Sequence, residues 1–236
     1  MAAVIGLLVV FEAAANPMLA AAFGFDAASA AHFGSLFDRG AGAADLLRWG
    51  ALLDLGGYLA FGVVVIHVGQ RLWRVNELAV GALTAGGAGA LLVGGTGAAL
   101  LATVGPWLLG EFAGAPQADR EAARMALEVL GRAVAAGLWG TVTFGLLGAW
   151  LLGVGLLLRR EPRFAGLAVL GGLGMLASAV RTGVTGRILP DVAGTLDAVF
   201  VIAIVGLLVC FFLWLLWLAL RLWQGSPSTA RAATPI

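Results

Sequence analysis

Seven polar side chains interrupt apolar stretches of this chain and could do chemistry there: Glu12, Asn16, Asp54, Tyr58, Arg132, Arg181 and Asp197. Glu12 and Asn16 are four apart, as are Asp54 and Tyr58, so each pair shares one helix face. Ionisable groups inside a membrane are costly unless paired or hydrated, and by default they face the interior of a helical bundle. Counting along the apolar runs puts Asp54, Arg132, Arg181 and Asp197 in the outer third of the membrane. Tyr58 lies a turn deeper, and Glu12 and Asn16 lie nearer the middle. Two carboxylates and two arginines at matching height suggest the pairs Asp54–Arg132 and Asp197–Arg181. One reading is an outward-facing polar pocket that binds a small anionic or zwitterionic ligand, or passes protons through Glu12. The other is a structural set of salt bridges near the interface, where arginine can also reach outward. The depth favours the structural reading, because it is not the bilayer centre.

Other chemistries lack their residues. There is no lysine, so no retinal Schiff base can form. The single cysteine, Cys210, excludes an internal disulfide and any cysteine-based metal cluster. His32 and His67 fall on opposite sides of the membrane, which rules out haem ligation by both. The chain has no paired-histidine zinc motif, no P-loop and no Gly-x-Ser-x-Gly elbow. The glycine runs at 86–89 and 94–97 sit inside an apolar span and read as helix packing. No catalytic residue, metal or cofactor is predicted.

The elements that must position the polar residues are helices. Of 236 residues, 61% are hydrophobic and 11% charged. A soluble domain carries about twice that charged fraction. Repeated apolar runs of about twenty residues indicate an all-α, polytopic transmembrane bundle rather than a β-barrel. A net charge of +1 points to no polyanionic partner, so nucleic acid is not expected. Six spans are predicted, at about 2–23, 49–67, 78–105, 133–158, 164–188 and 192–220. The first run competes with a signal peptide, but it lacks a basic start and carries Glu12, so a retained helix is preferred. Pro17 should kink it. Between spans one and two, Asp26 can cap a short helix with Phe33, Leu36 and Phe37 on its apolar side, predicted to lie on the membrane surface. Arg120, Arg124, Glu128 and Arg132 form a four-spaced ladder ahead of span four, allowing Arg124–Glu128 and Glu128–Arg132 pairs. Residues 1–223 form one domain, and 224–236 read as a disordered tail.

Span four is the most patterned. Gly137, Thr141, Gly145, Ala149 and Gly153 form a small-residue stripe that predicts close helix packing, with span three the expected partner. Seven arginines fall on each side of six spans. Arg71, Arg74, Arg159, Arg160, Arg163 and Arg221 abut span ends, which puts both termini in the cytoplasm.

Some features resemble a family of bacterial six-helix membrane proteins known only as a domain of unknown function. They are Arg48-Trp49-Gly50 with Asp54, the turn Arg74-Val75-Asn76-Glu77-Leu78-Ala79, and the block Phe144 to Leu152 followed by Arg159 and Pro162-Arg163-Phe164-Ala165-Gly166. The likeness runs from about Leu7 to Leu220. Where that family has a His-Gly pair, this chain has Gly137-Leu138-Trp139-Gly140. The resemblance implies a six-helix fold and no activity.

The function expected from sequence is a small accessory or structural protein of the bacterial inner membrane, packing with itself or a membrane-complex partner. The alternative is a transporter or small-ligand-binding protein using the outer polar cluster. A redox subunit carrying a tetrapyrrole or quinone is the third reading.

Overall fold

The computed structural model describes residues 2–24, 32–158, 162–185 and 195–224, and every regular element among them is helical. In chain order these are α1 (Ala2–Ala22), a 3-10 turn (Phe33–Asp38), α2 (Ala41–Leu72), α3 (Glu77–Glu111) and α4 (Gln117–Arg132). A π-helical segment (Ala133–Thr143) joins α4 to α5 (Phe144–Leu157), and α6 (Pro162–Thr185) and α7 (Thr195–Gln224) follow. Among the described residues, five helices are long and apolar enough to cross a membrane: Ala2–Ala22, Ala41–Leu72, Glu77–Glu111, Gln117–Leu157 and Phe164–Thr185. The apolar stretch Val205–Arg221 within α7 is shorter. The continuous rod Gln117–Leu157 is 41 residues long. At 1.5 Å per residue it measures about 60 Å, so its charged beginning projects well past a ~30 Å hydrocarbon slab.

Consecutive helices pack side by side, and α7 returns to touch α1, closing the ring. Asn76 caps α3 by accepting the Ala79 N–H at 3.0 Å. Pro17 is accommodated within an unbroken α1.

The segment after α1 differs from expectation. Its regular part is a six-residue 3-10 turn, and Phe33, Leu36 and Phe37 are buried against the protein instead of lying in lipid. The Phe33 ring fits against Gly131 of α4, where any Cβ would overlap it. Asp26 lies outside the described residues, as does the tail beyond Gln224.

The small stripe of span four also behaves differently. Gly137 faces open space and Ala149 is exposed. Gly145 has only the Ala179 methyl, at 3.8 Å from a Cβ position, and Gly153 faces Leu83 of α3. Thr141 turns its hydroxyl to the Ala136 carbonyl at 2.7 Å, five residues back. The close approach is made by glycines outside the stripe. A Cβ on Gly148 would lie 2.9 Å from the Gly172 carbonyl oxygen, and one on Gly155 would lie 3.0 Å from that of Ala165. Both contacts are backbone against backbone, and both are to α6 rather than α3. The reason is angular. At 3.6 residues per turn, a strict spacing of four drifts about 40° per step, so the stripe winds around α5 and no single neighbour can meet it.

The buried side chains form two clusters. One holds Ile5, Leu8, Phe61, Val65, Trp150 and Trp214 among others. The second holds Phe23, Leu36, Leu47, Leu101, Leu127 and Val134 among others. On α1, α2 and α3, the residues between the clusters include Glu12, Asp54, Tyr58, Gly94, Gly95 and Gly97. The apolar core is thus divided into two tiers, and a polar layer lies between them.

Candidate functional site

The polar layer sits at the middle of the helices. Glu12 is the midpoint of Ala2–Ala22, and Gly94 is the midpoint of Glu77–Glu111. Asp54 and Tyr58 bracket the midpoint of Ala41–Leu72. They share a level with Glu12.

Helix α1 reaches this level through a seven-residue seam. Leu19 rests on Gly50 of α2, Glu12 rests on Gly57, and Ile5 and Val64 are buried in the same tier. Leu19, Glu12 and Ile5 are seven apart, as are Gly50, Gly57 and Val64. That is the repeat of knobs packing into a facing helix. Glu12 thus occupies a knob position that an apolar residue normally fills. A Cβ at Gly57 would overlap the Glu12 carboxylate, so glycine there makes its seat. Asp54 and Tyr58 flank that seat, three residues before Gly57 and one after.

Hydrogen bonding in the layer is incomplete. Asn16 donates its side-chain N–H to the Glu12 backbone carbonyl at 3.0 Å and to Glu12 Oε2 at 3.4 Å. Asp54 Oδ2 is buried with no hydrogen-bond partner. Neither carboxylate takes part in the ion pairs found among the described residues. Tyr58 lies flat over Gly94, where a Cβ would overlap its ring. On another side of α3, the Trp139 indole donates to the Gly94 carbonyl at 2.9 Å, and Thr143 donates to the Ala90 carbonyl at 3.4 Å. The π-helical segment supplies both donors. Its wider turn changes which side chains of span four face α3.

The remaining candidates lie elsewhere. Arg132 does not pair with Asp54: its Nε donates to Glu128 Oε1 at 2.7 Å. Four residues along a helix bring those two together at once, whereas Asp54 lies on another helix, α2. Arg181 is on α6, where Thr185 donates to its carbonyl at 2.8 Å. Asp197 is in α7, and its side chain is outside the described residues.

Glu128 is the organising charge where α4 meets the 3-10 turn, which the ladder pattern only half disclosed. Its Oε2 accepts the Gly34 backbone N–H at 3.0 Å, and its Oε1 lies 3.5 Å from His32 Nδ1. Arg124 bonds the Gly34 carbonyl at 3.2 Å and also meets Asp38, instead of Glu128. Together they fasten the 3-10 turn to α4. The signal missed in the sequence is the pairing partner, 94 residues away.

Comparison of the chain with protein-family models, curated proteins and solved structures finds no match.

Proposed function

We propose that this chain is a six-span protein of a bacterial inner membrane, with both termini cytoplasmic, that takes up a proton or a small monovalent cation at Glu12 and Asp54 as part of transport. The sixth span in this reading is α7, whose 30 residues suffice to cross. One observation carries the reading: Glu12 of α1 is seated on Gly57 of α2, one helical turn from Asp54, and Asp54 Oδ2 is buried without a hydrogen-bond partner. Like charges this close in hydrocarbon need a compensating positive charge. No described arginine or histidine supplies it as an ion pair. Gly57 and Gly94 already seat Glu12 and Tyr58 without room for one more carbon, which argues for a very small ligand.

A structural accessory role is the second reading, favoured by the Glu128 fastening at the outer end. Flux measurements separate the two. Purified protein in liposomes under an imposed proton, sodium or potassium gradient should dissipate at least one of them. Glu12→Gln and Asp54→Asn should each return flux to the protein-free baseline while the protein stays monodisperse. Wild-type liposomes indistinguishable from empty ones for all three ions would refute transport and leave the accessory role.

A further inference from the structure

A second polar place lies at the other end of α2, far from Glu12. A cavity of about 300 Å³ opens between α2, α6, α7 and the end of α5. That volume is at the lower end of the range for small-molecule pockets. Arg71 and His67 of α2 line one side, and Arg221 of α7 lines the other. None of its described lining residues is acidic. The floor is aromatic: the Phe164 ring lies 4.2 Å from that of Trp217, centroid to centroid. The Arg221 guanidinium sits 4.8 Å above the centre of the Trp217 ring, which fixes its plane. The rest of the wall is aliphatic, with Val68 and Leu218 typical. His67 Nε2 is buried without a hydrogen-bond partner, and such atoms in folded proteins are nearly always satisfied.

Two arginines and a histidine, on a wall whose described residues carry no carboxylate, fit an anion better than any other ligand. Guanidinium groups match phosphate oxygens in fork geometry. The aliphatic wall and the position beside a helix end fit an acyl chain entering alongside the headgroup. We infer that this cavity binds the phosphate of an acidic phospholipid, with Arg71 and Arg221 clasping the headgroup and Trp217 holding Arg221 in place. Basic recesses between transmembrane helices recognise acidic headgroups by this chemistry. The inference shares only membrane placement with the transport reading and uses none of its residues.

The test is native mass spectrometry of the full chain in detergent, titrated with phosphatidylglycerol, phosphatidylcholine, glycerol phosphate or inorganic phosphate. Phosphatidylglycerol should be retained at least tenfold more tightly than phosphatidylcholine, and soluble phosphates should not displace it at equal concentration. Arg71→Gln and Arg221→Gln should each weaken retention about fivefold, the effect expected of one basic residue at an anionic headgroup. Arg74→Gln, outside the cavity, should change nothing. Arg71 and Arg221 are exposed, so the single variants keep the fold, and a melting curve checks it. Equal retention of the two lipids, unchanged retention in both arginine variants, or displacement by inorganic phosphate would each overturn the inference.

Discussion

Gly94→Ala tests the packing of the mid-bundle layer most directly, because its sign opposes the usual expectation. Alanine in place of a helical glycine ordinarily stabilises by about 0.5–1 kcal/mol, through lower chain entropy and better propensity. At Gly94 the new methyl would lie 2.9 Å from Tyr58 Cδ1 and closer still to Cε1 and Cζ. Relief requires the Tyr58 ring to leave its rotamer or α2 and α3 to separate, and overpacking of this kind costs about 1–3 kcal/mol. The net loss is about 1–2 kcal/mol, or about 2–8 °C in Tm for a chain of this size. Gly86→Ala on the same helix is the control. Nothing lies within 4 Å of its Cβ position, so it should hold or raise Tm by about 1–3 °C. Thermal melting of the two purified variants in one detergent decides the matter. A Gly94→Ala protein as stable as Gly86→Ala would refute the placement of Tyr58 and with it the polar layer.

Two further outcomes follow from packing and charge. Glu128→Ala removes the acceptor for the Gly34 N–H and for Arg132, so it should cost about 1.5–3 kcal/mol and speed proteolysis near residues 33–38. A melt within 1 °C of wild type and unchanged cleavage would sink the fastening role. Gly148→Ala should destabilise by about 2 kcal/mol because its methyl meets the backbone of α6, whereas Gly145→Ala should be neutral or stabilising. Equal melting temperatures for the two would return the packing role to the small-residue stripe.

Helical class and most of the spans were legible in composition, because runs of about twenty apolar residues have few other outcomes. The four-residue spacings were legible too, and they correctly joined Glu12 to Asn16 and Glu128 to Arg132. Partners across helices were not: pairing by expected height chose Arg132 for Asp54, but Arg132 pairs with Glu128 one turn away, and the helix carrying Asp54 seats Glu12 of α1. The small-residue stripe misled for a related reason: a spacing of four is not the helical period, and a π-helical segment precedes α5.

The sequence by itself determined which segments could leave water, since hydropathy is a property of each run and needs no partner. It also determined the local pairs, which one helical turn brings together. Only the tertiary structure decided that Glu12 of α1 is seated at Gly57 of α2, within one turn of Asp54. That meeting depends on how α1 and α2 register along their seam, and the register is set by Leu19 on Gly50 and Glu12 on Gly57. Such contacts are collective: each glycine becomes a seat only when the opposing helix supplies the side chain to fill it.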